Sequence, residues 1–184
     1  AYAKSKQKRK LPNDPLSGYQ WYLNSTGFQK KLSTEKIEVE LADIQAPQGW
    51  SIRKNASEII IAIIDHGVDT SHPDLKSNIW RNPGEKLDGN DTDGNGYKDD
   101  IHGWNFVSRS RFVDISDNHG THVAGIAAAS GNNQEGITGV AWNAQIMTLD
   151  VMGSESDEAG VVEDAEAIRY AVDNGAKIIN ISLG

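Results

Sequence analysis

The chain has 184 residues, a formal net charge of −8, no cysteine and 38% hydrophobic residues. That length suits one domain with a sizeable core, or a large part of a bigger one. Disulfides are excluded, no apolar run approaches the roughly 18 residues of a membrane helix, and the acidic balance argues against nucleic acid as the main partner.

The charge is uneven: Lys4, Lys6, Lys8, Arg9 and Lys10 crowd the start, whereas acid gathers over Glu85–Asp100 and Glu155–Glu166. Residues 1–13 therefore read as a basic, disordered leader. Such a tail can bind nucleic acid, but a solvated terminus or a processing remnant is the better reading, and no signal peptide is visible after Ala1. Residues 14–184 form the expected folded domain. Asp14–Asn24 carries Pro15, Tyr19, Trp21 and Tyr22 and should pack on a surface. Ala42–Arg53 predicts a short helix with Trp50 on its buried side. Ile59–Ile64 is apolar throughout and rich in β-branched residues, as a central parallel strand is. Asn82–Asp100, full of Gly, Asp and Asn, is loop. Gly120–Ala129 predicts a helix of small residues pressed against other backbone. Ala144–Met152 predicts a second strand. Val161–Asn174 predicts an amphipathic helix with Val161, Val162, Ala165, Ile168, Ala171 and Val172 on one face, closed by Gly175. Lys177–Ser182 predicts a third strand. Alternating strands and helices give an α/β three-layer sandwich with a parallel sheet, whose ligands bind at the carboxyl ends of the strands.

Asp65 lies at such an end. A carboxylate that finishes an apolar strand is partly buried and needs a partner, and an imidazole N–H is a suitable one. An isolated D-x-G is more often a loop acid capping a turn. The longer pattern Asp65-x-Gly67-x-Asp69, followed by His72-Pro73-Asp74-Leu75, is far more specific. His119 opens the predicted helix; with one ring nitrogen held by Asp65, the other can take a proton from a hydroxyl. His119 and His122 could instead share a metal, but no third ligand stands at a fitting spacing. The acidic loop places Asp91, Asp93 and Asn95 at positions 1, 3 and 5, Gly96 at 6 and the Tyr97 carbonyl at 7, with Asp99 or Asp100 closing the shell. That is the first half of an EF-hand-type calcium loop, although His102 stands where the last glutamate belongs. A solvated acidic loop is the alternative; the mutual repulsion of these carboxylates favours calcium.

Four blocks carry a resemblance: Asn13-Asp14-Pro15, Ile61–Leu75, Asp117–Ala129 and Gly175–Gly184, with Gly139-Val140-Ala141 between the last two. The chain resembles the N-terminal portion of a subtilase, a subtilisin-like serine protease, and is most similar to the thermitase-like branch. The resemblance implies a subtilisin-like fold that is incomplete at the C-terminus. It implies that Asp65 is the triad aspartate, His119 the general base and His122 a structural helix residue. It implies that Ser182, Leu183 and Gly184 line the substrate, and so does the segment after the second strand, which holds Ser156, Asp157 and Glu158. With Glu155, those acids suggest a preference for basic residues upstream of the cleaved bond, or simply a loop facing water. A second calcium site is implied at Asp14, Asp74 and the loop Asn132–Ile137, through Asn133, Ile137 and the extra charge of Glu135. The family's Gly-Thr-Ser motif is absent, and His66 stands where threonine or serine is usual. Two readings follow. One is the front portion of a secreted, calcium-binding endopeptidase that acts on protein or peptide substrates and is partnered by a propeptide or by the rest of its domain. The other is a catalytically inactive module that binds peptides or partners.

Overall fold

A computed structural model describes residues 11–25, 29–32, 35–38, 43–152 and 160–182. Residues 1–10, Ser156, Asp157, Glu158, Leu183 and Gly184 lie outside the described residues. An antiparallel hairpin, β1 (Gln29–Leu32) and β2 (Glu35–Glu38), precedes the short helix α1 (Ala46–Ile52), whose first turn holds Pro47, where a proline's missing N–H costs nothing. The central layer is a four-stranded parallel sheet in the order β4-β5-β3-β6, built from β3 (Ile60–Asp65), β4 (Gly103–Asn105), β5 (Gln145–Asp150) and β6 (Ile178–Ile181). The helices are α2 (His119–Ala128) and α3 (Val161–Asp173).

Strand periodicity decides which helix meets which residue. Successive side chains of β3 point to opposite faces. Ile61 and Ile63 pack with Val68, Leu75, Ala124 and Ala128 on the α2 side. Ala62 and Ile64 pack with Met147, Leu149, Ala167, Tyr170 and Ala171 on the α3 side. The expected three layers are present. The chain runs from β5 across β3 to β6, so β3 sits where the strand order reverses, and its carboxyl end opens on the crevice that such sheets use for ligands.

The strands and the two long helices fall where the sequence places them. Gly175, at φ 83°, closes α3 as expected. The hairpin and the three-residue β4 were not foreseen. The buried face of α3 also differs from expectation. Ala167, Tyr170 and Ala171 are buried, whereas Val161, Val162, Ile168 and Val172 are exposed. Small alanines let the helix approach the sheet and carry the Tyr170 ring inward. Ile178 and Ile181, on opposite faces of β6, are exposed as well. Ile63→Ala removes a side chain wholly out of water and should cost roughly 2–5 kcal/mol of stability, against less than about 0.5 kcal/mol for Val161→Ala, as read from urea midpoints.

Candidate active site

Asp65 ends β3 on the same face as Ile61 and Ile63, and this face carries α2. Its carboxylate is 0% exposed. Oδ1 accepts the His66 N–H at 2.8 Å, and both oxygens face His119 Nδ1, at 2.7 and 2.9 Å. The His119 side chain is 48% exposed, so its other nitrogen is open to solvent at the rim. Three features fix this geometry. Gly120 presses the first turn of α2 onto the His66 carbonyl, where a Cβ would stand 2.1 Å from the oxygen. Thr121 Oγ1 accepts the Asp69 N–H at 3.0 Å, which ties the turn after β3 to the helix. Asp117 Oδ1 accepts the His119 N–H at 2.6 Å and satisfies one of the free donors at the helix start. The hydrogen bond and charge of Asp65 hold the His119 imidazole above its ordinary pKa, with Asp117 adding to the effect and burial opposing it. His122, one turn on, is exposed beside Leu16, Tyr19 and Ile126 and does not join this pair.

Ser182 follows β6 directly, one step past the Ile64–Ile181 pairing and so level with Asp65. Its hydroxyl accepts the Asn180 amide at 2.9 Å. Among the described residues no serine bonds to His119.

The acidic loop closes around Glu85, Asp93 and Asp100, which each offer an oxygen within 4.8 Å of the others. Glu85 lies outside the EF-hand-like run, so spacing alone does not reach it; the fold buries it to 4% exposure beside Asp93 and Asp100. Asp100 is 0% exposed, and burial raises its pKa against the pull of Tyr170, Asn95 and Asn82, which donate to it at 2.5, 3.0 and 3.1 Å. Asn95 donates to both Asp93 and Asp100. Asp91 spends its oxygens on the N–H groups of Gly94, Asn95 and Gly96, as the turn of such a loop requires. Asp99 is turned to the Asp88 and Gly89 N–H groups, and the Tyr97 ring joins Trp104, Phe106 and Tyr170. Three carboxylates, two of them buried, form an all-oxygen donor set that suits a hard cation.

The second expected group also converges. Asp14 (3% exposed) accepts the N–H groups of Asn132 and Asn133 at 2.8 and 3.0 Å. Asp74 (2% exposed) accepts the Asn133 amide at 2.7 Å and the Ile137 N–H at 3.0 Å. Glu135 is exposed on the same loop. Asn13 also bonds this loop, through Asn132 and Gln134.

A parallel α/β fold carries, at its switch point, a buried carboxylate that orients a half-exposed imidazole, the arrangement of an acid–base pair. The comparisons specify it further. The subtilase family model matches residues 56–184. The thermophilic serine proteinase of Bacillus sp. (strain AK1) is 39% identical over 136 residues, which are 73% of this chain and 28% of that protein. Thermitase of Thermoactinomyces vulgaris is 38% identical over 173 residues, 94% of this chain and 48% of thermitase. Among solved structures, a protease of Pseudoalteromonas arctica PAMC 21717 superposes with a TM-score of 0.63 at 26% identity, covering 95% of this chain and 51% of that one. The chain belongs to the subtilase family, the subtilisin-like serine proteases, and to its thermitase-like branch. It spans about half or less of the length of these relatives. No helix among the described residues is long and apolar enough to cross a membrane.

The site yields a titration prediction. His119 should titrate above the ordinary imidazole value of about 6.5, and Asp65→Asn should bring it down. Since the folded pKa lies above the unfolded one, the pairing stabilises the fold fully below about pH 6.5 and fades as pH rises through the folded value. Histidine C–H chemical shifts followed against pH, in both proteins, check the shift and its sign.

Proposed function

We propose that this chain supplies the acid–base half of a serine endopeptidase site that hydrolyses peptide bonds by acyl transfer. The observation that carries the reading is the bond from His119 Nδ1 to both oxygens of the buried Asp65, with the opposite ring nitrogen open at the rim. Asp65 fixes the tautomer with the proton on Nδ1, which leaves Nε2 free to accept. Nε2 then takes the proton of a serine hydroxyl as that oxygen attacks the peptide carbonyl, and later returns it to the leaving amine. Asp65 stabilises the imidazolium between those steps. The serine and the oxyanion donors would come from polypeptide beyond these residues, for which the greater length of the relatives leaves room. The intact Asp65–His119 pair favours a catalyst over an inactive binding module. An extended substrate would lie across the strand ends, with Ser182 on one side, as peptides add to open strand edges.

Calcium would sit at Glu85, Asp93 and Asp100, and a second ion at Asp14, Asp74 and the 132–137 loop. Bound there, it would neutralise clustered carboxylates and stabilise the folded form by mass action. A dependence on such loops suits a secreted enzyme, since calcium is plentiful outside cells.

In the complete polypeptide, His119→Ala and Asp65→Asn should each lower kcat by about 10^4 with little change in KM, measured on a peptide ester. A fluorophosphonate should label the unmodified enzyme at one serine outside this chain; labelling of Ser182 would sink the assignment. Calcium should raise the thermal midpoint and a chelator should lower it. Glu85→Gln should remove much of that gain; an unchanged calcium response in the variant would exclude Glu85 as a ligand.

A further inference from the structure

The segment between β4 and α2 must deliver His119 to Asp65, and one buried side chain fastens it. Asp150 is the last residue of β5, pairs in register with Asp65 and Asn105, and is 0% exposed. Its Oδ2 accepts the Asn105 amide and the Asp114 backbone N–H, both at 2.7 Å, and its Oδ1 accepts the Met152 N–H at 3.2 Å. Each of its two partners in the segment organises further backbone. Asn105 Oδ1 accepts the N–H groups of Val107 and Ser108, and its main chain exchanges two bonds with Ser110. Asp114 accepts the Ser116 N–H at 2.8 Å. Val113 and Asp114 lie so close over Gly67 that a Cβ there would stand 2.5 Å from the Asp114 carbonyl oxygen. Asp117, which caps His119, follows three residues later.

We propose that Asp150 is a positioning residue of the active site: its carboxylate anchors residues 105–114 to the sheet and thereby sets the approach of His119 to Asp65. The inference rests on the protease reading only for its kinetic consequence. A carboxyl that merely filled space here would be better replaced by an apolar group, because burying a charge is costly. Burial, with the neighbouring Asp114 carboxylate adding to it, raises Asp150 to about 6, while the Asp114 and Met152 N–H groups and the charge of His66 pull the other way. At pH 8 it is therefore ionised and fully engaged with its donors.

The test compares Asp150→Ala with Asp150→Asn at pH 8. The amide oxygen of asparagine can still accept from Asn105 and Asp114; alanine cannot. In D150A the low-field Nδ1–H resonance of His119 should broaden or vanish, and the His119 pKa should fall towards its ordinary value. In D150N both should stay near those of the unmodified protein. In the complete enzyme D150A should lower kcat about ten-fold with KM within about two-fold. An unmoved His119 resonance and pKa in a folded D150A would overturn the proposal. If D150A does not fold, Asn105→Ala removes the same tie from the segment side and is read the same way. In the unmodified protein the Asp114 amide should resist hydrogen exchange like the β5 amides; exchange at the rate of a free loop would equally overturn the proposal. The resonance and exchange measurements stand even if the protein hydrolyses nothing, so failure of the protease reading is told apart from failure of this one.

Discussion

The Asp65 carboxylate sits wholly out of water at the end of an apolar strand, and such a charge is tolerable only when its lone pairs are met by donors. The donors come from the His66 backbone and the His119 ring. To bring that ring in, α2 must lie on the face of β3 that carries Ile61, Ile63 and Asp65, and its first turn must touch the backbone after the strand. The run of small residues in α2, Gly120 and the Thr121–Asp69 bond all serve this close approach. The buried residues Ile61, Ile63, Ala124 and Ala128 supply the apolar drive, and the polar contact fixes the register.

The opposite face repeats the arrangement with different chemistry. Tyr170 on α3 passes through the core formed with Met147, Leu149 and Phe106 and donates its hydroxyl to Asp100 at 2.5 Å. Burial and the Asp100 carboxylate push the tyrosine pKa far upward, so the group remains a donor at any ordinary pH. The acidic loop is thereby fastened to the helix that leads into β6. A cation held by Glu85, Asp93 and Asp100 would thus act on the same framework that presents the strand ends, through side chains already joined.

The edge of β6 stands apart from this closed core. Ile178 and Ile181 are 51% and 47% exposed. A parallel sheet covered on both faces usually buries such residues. The aromatic groove at Tyr19, Trp21 and Ile126 is a second apolar surface, on the α2 side.

Local pattern in the sequence was enough for the strands Ile60–Asp65 and Gln145–Asp150, the two long helices and the pairing of Asp65 with His119. Strand and helix periods are written in neighbouring residues, and the motif around each of these two groups is short. The acidic loop was legible through its alternating spacing, which reached Asp93 and Asp100 but not Glu85. Only the tertiary structure brought Glu85 to them, buried Ala167 and Tyr170 rather than Val161 and Val162, and paired Asp150 with Asp114. Each of these depends on the register between strands distant in sequence and on which helix face finds a neighbour. Such relations arise when the layers pack, and no window of adjacent residues contains them.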